Sequence, residues 1–135
     1  MICPIINFNV RDNYDGKLVA LEASKDVPFK IKRVYYIWGN APDVVRGKHA
    51  HRKLEQVVIC MSGSCDFILD NGKKRETIHL NSPDKGIHIK NNIWREFTNF
   101  SKDCVIMVLA SEHYEEADYI RDYAQFRKEI VNCDT

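Results

Sequence analysis

The sequence predicts an all-β fold, an antiparallel sandwich or barrel with a short C-terminal helix, and three observations carry that expectation. Turn residues recur at short intervals, at Asp15-Gly16, Gly39-Asn40-Ala41-Pro42, Ser62-Gly63, Asp70-Asn71-Gly72, Asn81-Ser82-Pro83 and Asn91-Asn92. The runs between them are short and rich in Val, Ile, Tyr and Phe, side chains that suit a pleated surface. A helix-compatible pattern begins only after Ser111.

In chain order, Leu18–Glu22 and Ile31–Trp38 are the first predicted strands, followed by Gln56–Met61. Cys65–Leu69, the turn Asp70-Asn71-Gly72 and Lys73–Leu80 predict a hairpin, because Asn-Gly supplies the positive φ angles of a tight primed turn. Thr77–Leu80, Ile87–Lys90 and Cys104–Ala110 complete the set, and no long helix fits before residue 112. Beyond it, Glu112, Glu115, Glu116, Asp118, Arg121 and Asp122 stand among aromatic residues. Tyr123–Val131 then spaces Phe126, Ile130 and Val131 for one helix face. No repeat or linker divides the chain, so one domain is expected over residues 1–135. The exposed strand edges of so small a sheet favour pairing with a second copy.

A chain of 135 residues can bury about two-thirds of its unfolded surface, enough for a self-standing core. Hydrophobic residues at 44%, charged residues at 29% and a net charge of +1 give no overall bias toward nucleic acid or a membrane surface. The opening MICPIINFNV has no basic segment followed by a long apolar run, which points to a cytoplasmic protein. Cys3, Cys60, Cys65, Cys104 and Cys133 are odd in number and form no CxxC pair, so reduced, buried packing is their expected role.

The stretch Arg46-Gly47-Lys48-His49-Ala50-His51-Arg52-Lys53-Leu54-Glu55-Gln56 carries the chemistry. On an extended strand His49 and His51 project to one face, which makes them a metal site, an acid–base pair, or two polar histidines facing solvent. An HxH followed by Glu or Gln, a strand and Gly63 resembles the first motif of the cupin superfamily, whose fold is a double-sheet jelly-roll barrel. Metal-binding cupins complete their site with that Glu and a later His. Here Gln56 falls at the Glu position, with Glu55 beside it, and Trp94 at the His position within Pro83–Asn99. An amide is a poor cation ligand and an indole is none, so the motif predicts a metal-free site whose histidines move protons.

A closer resemblance runs over nearly the whole chain. Asn7-Phe8, Val27-Pro28-Phe29, Ile31-Lys32-Arg33-Val34-Tyr35-Tyr36-Ile37, Arg46-Gly47-Lys48-His49-Ala50-His51, Leu54-Glu55-Gln56-Val57, Gly63-Ser64-Cys65, Leu109-Ala110-Ser111-Glu112-His113-Tyr114 and Asp118-Tyr119-Ile120-Arg121-Asp122-Tyr123 are similar to the dTDP-4-keto-6-deoxyglucose 3,4-ketoisomerases. The Arg46-Gly47-Lys48-His49 piece also resembles the related sugar 3,5-epimerases.

What the resemblance implies is an isomerase acting on a dTDP-linked 4-keto-6-deoxysugar, in deoxysugar biosynthesis for lipopolysaccharide O-antigen or S-layer glycans. It implies no cofactor and a homodimer that exchanges its N-terminal strand; the family contains both galacto and gluco outcomes, of which galacto is favoured here. His49 matches the base, His51 the second active-site histidine and Tyr35 a tyrosine beside the sugar. Arg33 and Arg46 match pocket arginines. Read by themselves, Trp94 is either plain core or a flat platform for a sugar or base, and Arg95 and Arg121 are further substrate-binding candidates whose facing the sequence leaves open. His79, His88 and His113 belong to no such constellation. Two other classes stay open at this stage, a sugar-nucleotide-binding module without turnover and a metal-dependent cupin using His49, His51 and Glu55. A sugar 3,5-epimerase is the nearer alternative.

Overall fold

Antiparallel pairing between every pair of neighbouring strands folds the chain into two five-stranded sheets. The computed structural model describes residues 1–133. The first sheet runs β1 (Ile5–Asn7), β9 (Lys85–Ile89), β6 (Gln56–Ser62), β11 (Val105–Ala110), β4 (Arg33–Trp38). The second runs β12 (Tyr119–Ile120), β5 (Arg46–His51), β10 (Trp94–Thr98), β7 (Cys65–Asp70), β8 (Arg75–Leu80). A separate hairpin joins β2 (Val10–Asn13) to β3 (Gly16–Val19), and helix α1 (Tyr123–Cys133) closes the described chain. This is the predicted jelly roll with a C-terminal helix. No described helix is long and apolar enough to cross a membrane.

The core lies between the inner faces. Val58, Cys60, Ile87, Ile89, Ile106 and Val108 of the first sheet share one buried cluster with Phe67, Leu69, Leu80 and Phe97 of the second. Phe67 and Phe97 stack with ring centroids 4.8 Å apart. Each such side chain removed from water stabilises the fold by about 1.5–3 kcal/mol. The first sheet is buried on its outer face too, where Val57, Ile59 and Leu109 meet Phe8 and Val27 of the N-terminal arm. Burial on both faces explains why β6 reads as an unbroken apolar run rather than an alternating one. The arm's first strand pairs with β9 of its own chain, Ile5 opposite Ile87. Helix α1 covers the outer face of the second sheet, setting Phe126 against Ala50, Trp94 and Ile120.

Two sequence expectations change. The β7–β8 hairpin is closed by the four residues 71–74 rather than by a tight two-residue turn, with Asp70 opposite Arg75. The Asn71 side-chain oxygen accepts the Lys73 and Lys74 backbone N–H groups at 2.9 and 2.8 Å, which makes the wider loop self-satisfied. The N-terminal region holds two strands, β1 and β2, that propensity did not mark, because Asn7, Asp12 and Asn13 dilute the apolar signal. Cys3, Cys60, Cys65 and Cys104 are buried free thiols, as expected, and burial pushes Cys60 up to about 12. The side chain of Cys133 lies outside the described ones.

The turn between β6 and β7 is the tightest steric constraint. Gly63 sits at φ +67°, and a Cβ there would lie 2.2 Å from Ser101 Oγ and 2.9 Å from the Cys104 Cα. Gly63→Ala is therefore expected to cost about 2–3 kcal/mol. For a domain of this size that lowers Tm by roughly 6–10 °C. Thermal denaturation followed by circular dichroism checks it, and an unchanged Tm would show that the turn relaxes freely.

Candidate active site

The site is built around an irregularity in β5. Gly47 and Lys48 both have positive φ, +84° and +52°, and the pairing with β10 shifts register there, with Arg95 opposite His49 but Glu96 opposite Gly47. This bulge inserts one residue on the β5 side. In a regular strand Arg46 and His49 would face opposite ways, whereas across the bulge both line the same cavity. Gly47 is required sterically as well, since a Cβ would meet the Arg95 carbonyl oxygen and the Phe97 ring at 3.0 Å. The bulge also brings the Gly47 carbonyl to His49 Nδ1 at 3.0 Å.

The cavity, about 370 Å³, opens at one end of the barrel between the sheets. Arg33, Tyr35 and Ile37 of β4 line one wall, Arg46 and His49 another, with Gln56, Arg95 and Phe97 within and Tyr119 and Arg121 also lining it. Sequence reasoning placed Tyr35, His49, Arg33, Arg46, Arg95 and Arg121 here, and the structure brings all six together. It does not bring Trp94. That indole is 4% exposed on the opposite face of β10, edge-on to Tyr123 at 5.3 Å and beneath Phe126, and it donates Nε1–H to Glu96 at 2.9 Å. Strand alternation gives the inward position to Arg95 instead, so the substrate-platform expectation for Trp94 is withdrawn. His51 is also set back. It is fully buried, its ring 4.4 Å from Tyr119 and 4.9 Å from His49, and it does not line the cavity.

Hydrogen bonds assign the protons. A carbonyl only accepts, so His49 donates Nδ1–H to Gly47 and keeps an unprotonated Nε2. His51 donates Nδ1–H to Asp118 at 3.1 Å, and its buried Nε2 has no partner among the described residues. Asp118 is itself held by the Lys53 and Leu54 backbone N–H groups at 2.7 and 3.2 Å. Burial lowers His49 to about 4 and His51 to about 2, and the positive charge of Arg95 pushes both the same way. Both imidazoles are neutral at physiological pH, and His49 presents a free base to the cavity.

Arg95 is fully buried and lowered by burial to about 10, which leaves it a cation. It donates to Gln56 Oε1 at 2.5 Å and to the Ile93 carbonyl at 2.9 Å. Gln56 Nε2 in turn lies 3.0 Å from the Tyr35 hydroxyl. Burial raises the Tyr35 pKa, so the phenol keeps its proton. At the mouth, Arg33 lies over the Tyr35 and Tyr114 rings at 5.4 and 5.7 Å, with its buried Nε and one terminal nitrogen lacking partners among the described residues. Arg46 reaches Asn40 at 3.1 Å. Arg121 covers Tyr119 at 4.2 Å while its fork is taken by Glu116.

Among the described residues no group of three or more His, Cys, Asp or Glu side chains is arranged to hold a metal ion. Glu55, the alternative ligand, pairs with His88 at 2.7 Å rather than with the two motif histidines. The exposed His79 pairs with Asp66, and neither His79, His88 nor His113 lines the cavity. Sequence reasoning missed Gln56 as a participant, together with Asp118 and Tyr119. The Asp118-Tyr119 pair lies in a matched motif, but only the short pairing of β12 with β5 brings Tyr119 against His51.

Known proteins sharpen this picture. The family model described as FdtA, WxcM-like, C-terminal matches residues 1–131. A TDP-4-oxo-6-deoxy-alpha-D-glucose-3,4-oxoisomerase of Aneurinibacillus thermoaerophilus is 50% identical over 127 residues, covering 94% of this chain and 91% of that protein. The WlaRB TDP-quinovose 3,4-ketoisomerase of Campylobacter jejuni superposes with a TM-score of 0.90 at 52% identity, covering 93% of this chain and 97% of that one. QdtA, a sugar 3,4-ketoisomerase of Thermoanaerobacterium thermosaccharolyticum solved with TDP, gives 0.95 at 41% identity, covering 98% and 96%. With a jelly roll, a neutral histidine on its cavity wall and this likeness along almost the full length, the chain belongs to the FdtA, WxcM-like family of sugar 3,4-ketoisomerases and is an enzyme.

Proposed function

We propose that the protein converts dTDP-4-keto-6-deoxyglucose into a dTDP-3-keto-6-deoxyhexose by proton transfer. The observation that carries this reading is His49, held by the Gly47 carbonyl as a neutral base on the cavity wall. The C4 ketone acidifies the C3 hydrogen. His49 Nε2 takes that proton, and the C–H electron pair moves through C3 and C4 onto the C4 oxygen. The Tyr35 hydroxyl and the Arg95 charge stabilise the resulting enediolate. Transfer of the O3 proton to the C4 oxygen and return of a proton from the base to C4 leave a ketone at C3 and a hydroxyl at C4. Arg33, Arg46 and Arg121 at the mouth supply positive charge for the pyrophosphate, and the guanidinium fork suits its oxygens.

The reading is metal-independent. The Gln56 oxygen is occupied by Arg95, and a buried guanidinium beside the two histidines repels a dication. The face of C4 that is reprotonated sets the product. The sequence leaned toward galacto, but a relative 52% identical is a TDP-quinovose enzyme, and quinovose has the gluco configuration. That likeness supports the gluco product. Incubation with dTDP-4-keto-6-deoxyglucose in the presence of a chelator, followed by proton NMR, tests both points. The product should be a 3-ketosugar with the large H4–H5 coupling of the gluco series, and recovery of unchanged substrate would reject the isomerase.

Assembly as a homodimer is part of the proposal. β4 is an edge strand, and its outward residues Val34, Tyr36 and Trp38 are 53%, 63% and 66% exposed, an apolar stripe backing the strand that carries Arg33 and Tyr35. Exchange of the N-terminal arm would reproduce between copies the contacts that β1 makes with β9 within one chain.

Three outcomes are expected. His49→Asn should lower turnover at least about a hundredfold and abolish solvent deuterium entry at C3, while TDP still binds. Exchange at the wild-type rate would assign the base elsewhere. Because His49 is lowered to about 4, protonation disables it only in that region, so the acid limb of kcat/KM should fall near pH 4 rather than near 6.5. A limb at 6.5 would indicate a solvated base. In sedimentation velocity the wild type should be a dimer and the Tyr36→Glu/Trp38→Glu variant a monomer, and a wild-type monomer at micromolar concentration would remove the dimer.

A further inference from the structure

Gln56 occupies the place where a cupin metal ligand is a carboxylate, and an amide there has a consequence of its own. It is 2% exposed and bonded at both ends, so water does not substitute for either partner. A guanidinium only donates, which fixes the Gln56 oxygen toward Arg95. The amide nitrogen then faces Tyr35 and donates to its hydroxyl oxygen at 3.0 Å. Tyr35 accepts at that contact, and its single hydrogen is left over. A glutamate in the same place would accept from both neighbours and consume that hydrogen.

We propose that Gln56 is a positioning residue of the isomerase: anchored by Arg95, it keeps the Tyr35 hydroxyl hydrogen free for donation to the sugar oxygen that gains charge in the enediolate. This rests on the reading of the site as a 3,4-ketoisomerase. The polarity runs one way along the chain, from the Arg95 N–H to the Gln56 oxygen and from the Gln56 N–H to the Tyr35 oxygen, so the buried cation reinforces the donor strength of the last hydroxyl. Nothing in it requires Gln56 to touch substrate.

The test is a double-mutant cycle on turnover of dTDP-4-keto-6-deoxyglucose, with Tm and TDP affinity by calorimetry as controls. Gln56→Glu preserves shape and the Arg95 contact but reverses the bond to Tyr35. It is expected to lower kcat by roughly a hundredfold, as for loss of one oxyanion donor, while TDP affinity and Tm hold. Tyr35→Phe should lose about as much, and the double variant little more than either. Gln56→Met, which is neutral and of similar length, neither donates to Tyr35 nor consumes its hydrogen, so it should lose no more than about tenfold in kcat, the worth of one neutral hydrogen bond, and a hundredfold loss there would place the role of Gln56 on Arg95 and overturn the proposal. Losses that multiply in the Gln56→Glu/Tyr35→Phe variant would place the effect of Gln56 on Arg95 or His49 and overturn it too. So would a Gln56→Glu kcat within about twofold of wild type, or a loss confined to TDP binding. Failure of the wild type to isomerise the sugar is a separate outcome, and it would refute the isomerase reading itself.

Discussion

A guanidinium only 1% exposed in the middle of a β-barrel is costly unless it is bonded, and the site holds both terminal nitrogens of Arg95, on Gln56 and on the Ile93 carbonyl, while its Nε has no partner among the described residues. Its charge adds to burial in holding His49 and His51 neutral. It fixes the orientation of the Gln56 amide and, through it, the hydrogen-bonding role of Tyr35. It also puts a fixed positive charge in the cavity wall beside Gln56, and the proposed mechanism uses that charge to stabilise the enediolate. The inward facing of Arg95 depends in turn on packing behind it. Trp94 takes the other face of β10 under helix α1, and that hydrophobic anchor sets the strand's rotation.

The second organising feature is the bulge at Gly47 and Lys48. Bulges re-aim side chains, and this one joins two functions that strict alternation would separate, an arginine at the mouth and a base inside. The same distortion presents a carbonyl to His49 Nδ1, which fixes the tautomer. One local irregularity thus sets the base's position and its protonation together. His51, one layer deeper and clamped by Asp118, buttresses the His49 ring and the Tyr119 ring rather than facing the cavity.

The charged groups divide by depth. Arg46 and Arg121 stand exposed at the mouth, where charge attracts an anionic ligand over distance and solvent limits the cost of holding it, while Arg33 is half-buried with two nitrogens that lack partners among the described residues. Inside, Arg95 is partnered by neutral amide and carbonyl oxygens rather than by carboxylates, so its charge is not cancelled. Such a gradient is the one that the proposed reading needs, with a pyrophosphate at the rim and an uncharged sugar inside.

Much of this was legible in the residues. Turn spacing and short Val, Ile, Tyr and Phe runs were enough for the β class, and the C-terminal helix followed from the spacing of Phe126, Ile130 and Val131. Tyr35, His49 and the arginines of the cavity were found through a motif whose residue types are tied to its chemistry. What the sequence determined by itself was therefore the fold class and the chemical inventory. Tertiary structure alone decided facing and hydrogen-bond direction. Trp94 and Arg95 are neighbours on one strand, and only the helix packed on one side and the cavity on the other distinguish them. Gln56 gains its role from Arg95 and Tyr35, His51 is set back by Asp118 and Tyr119, and all of these partners lie on other strands or connecting segments. Side-chain alternation is a local property that one inserted residue reverses, whereas the direction of a buried hydrogen bond is set by partners distant in sequence, and no local pattern encodes it.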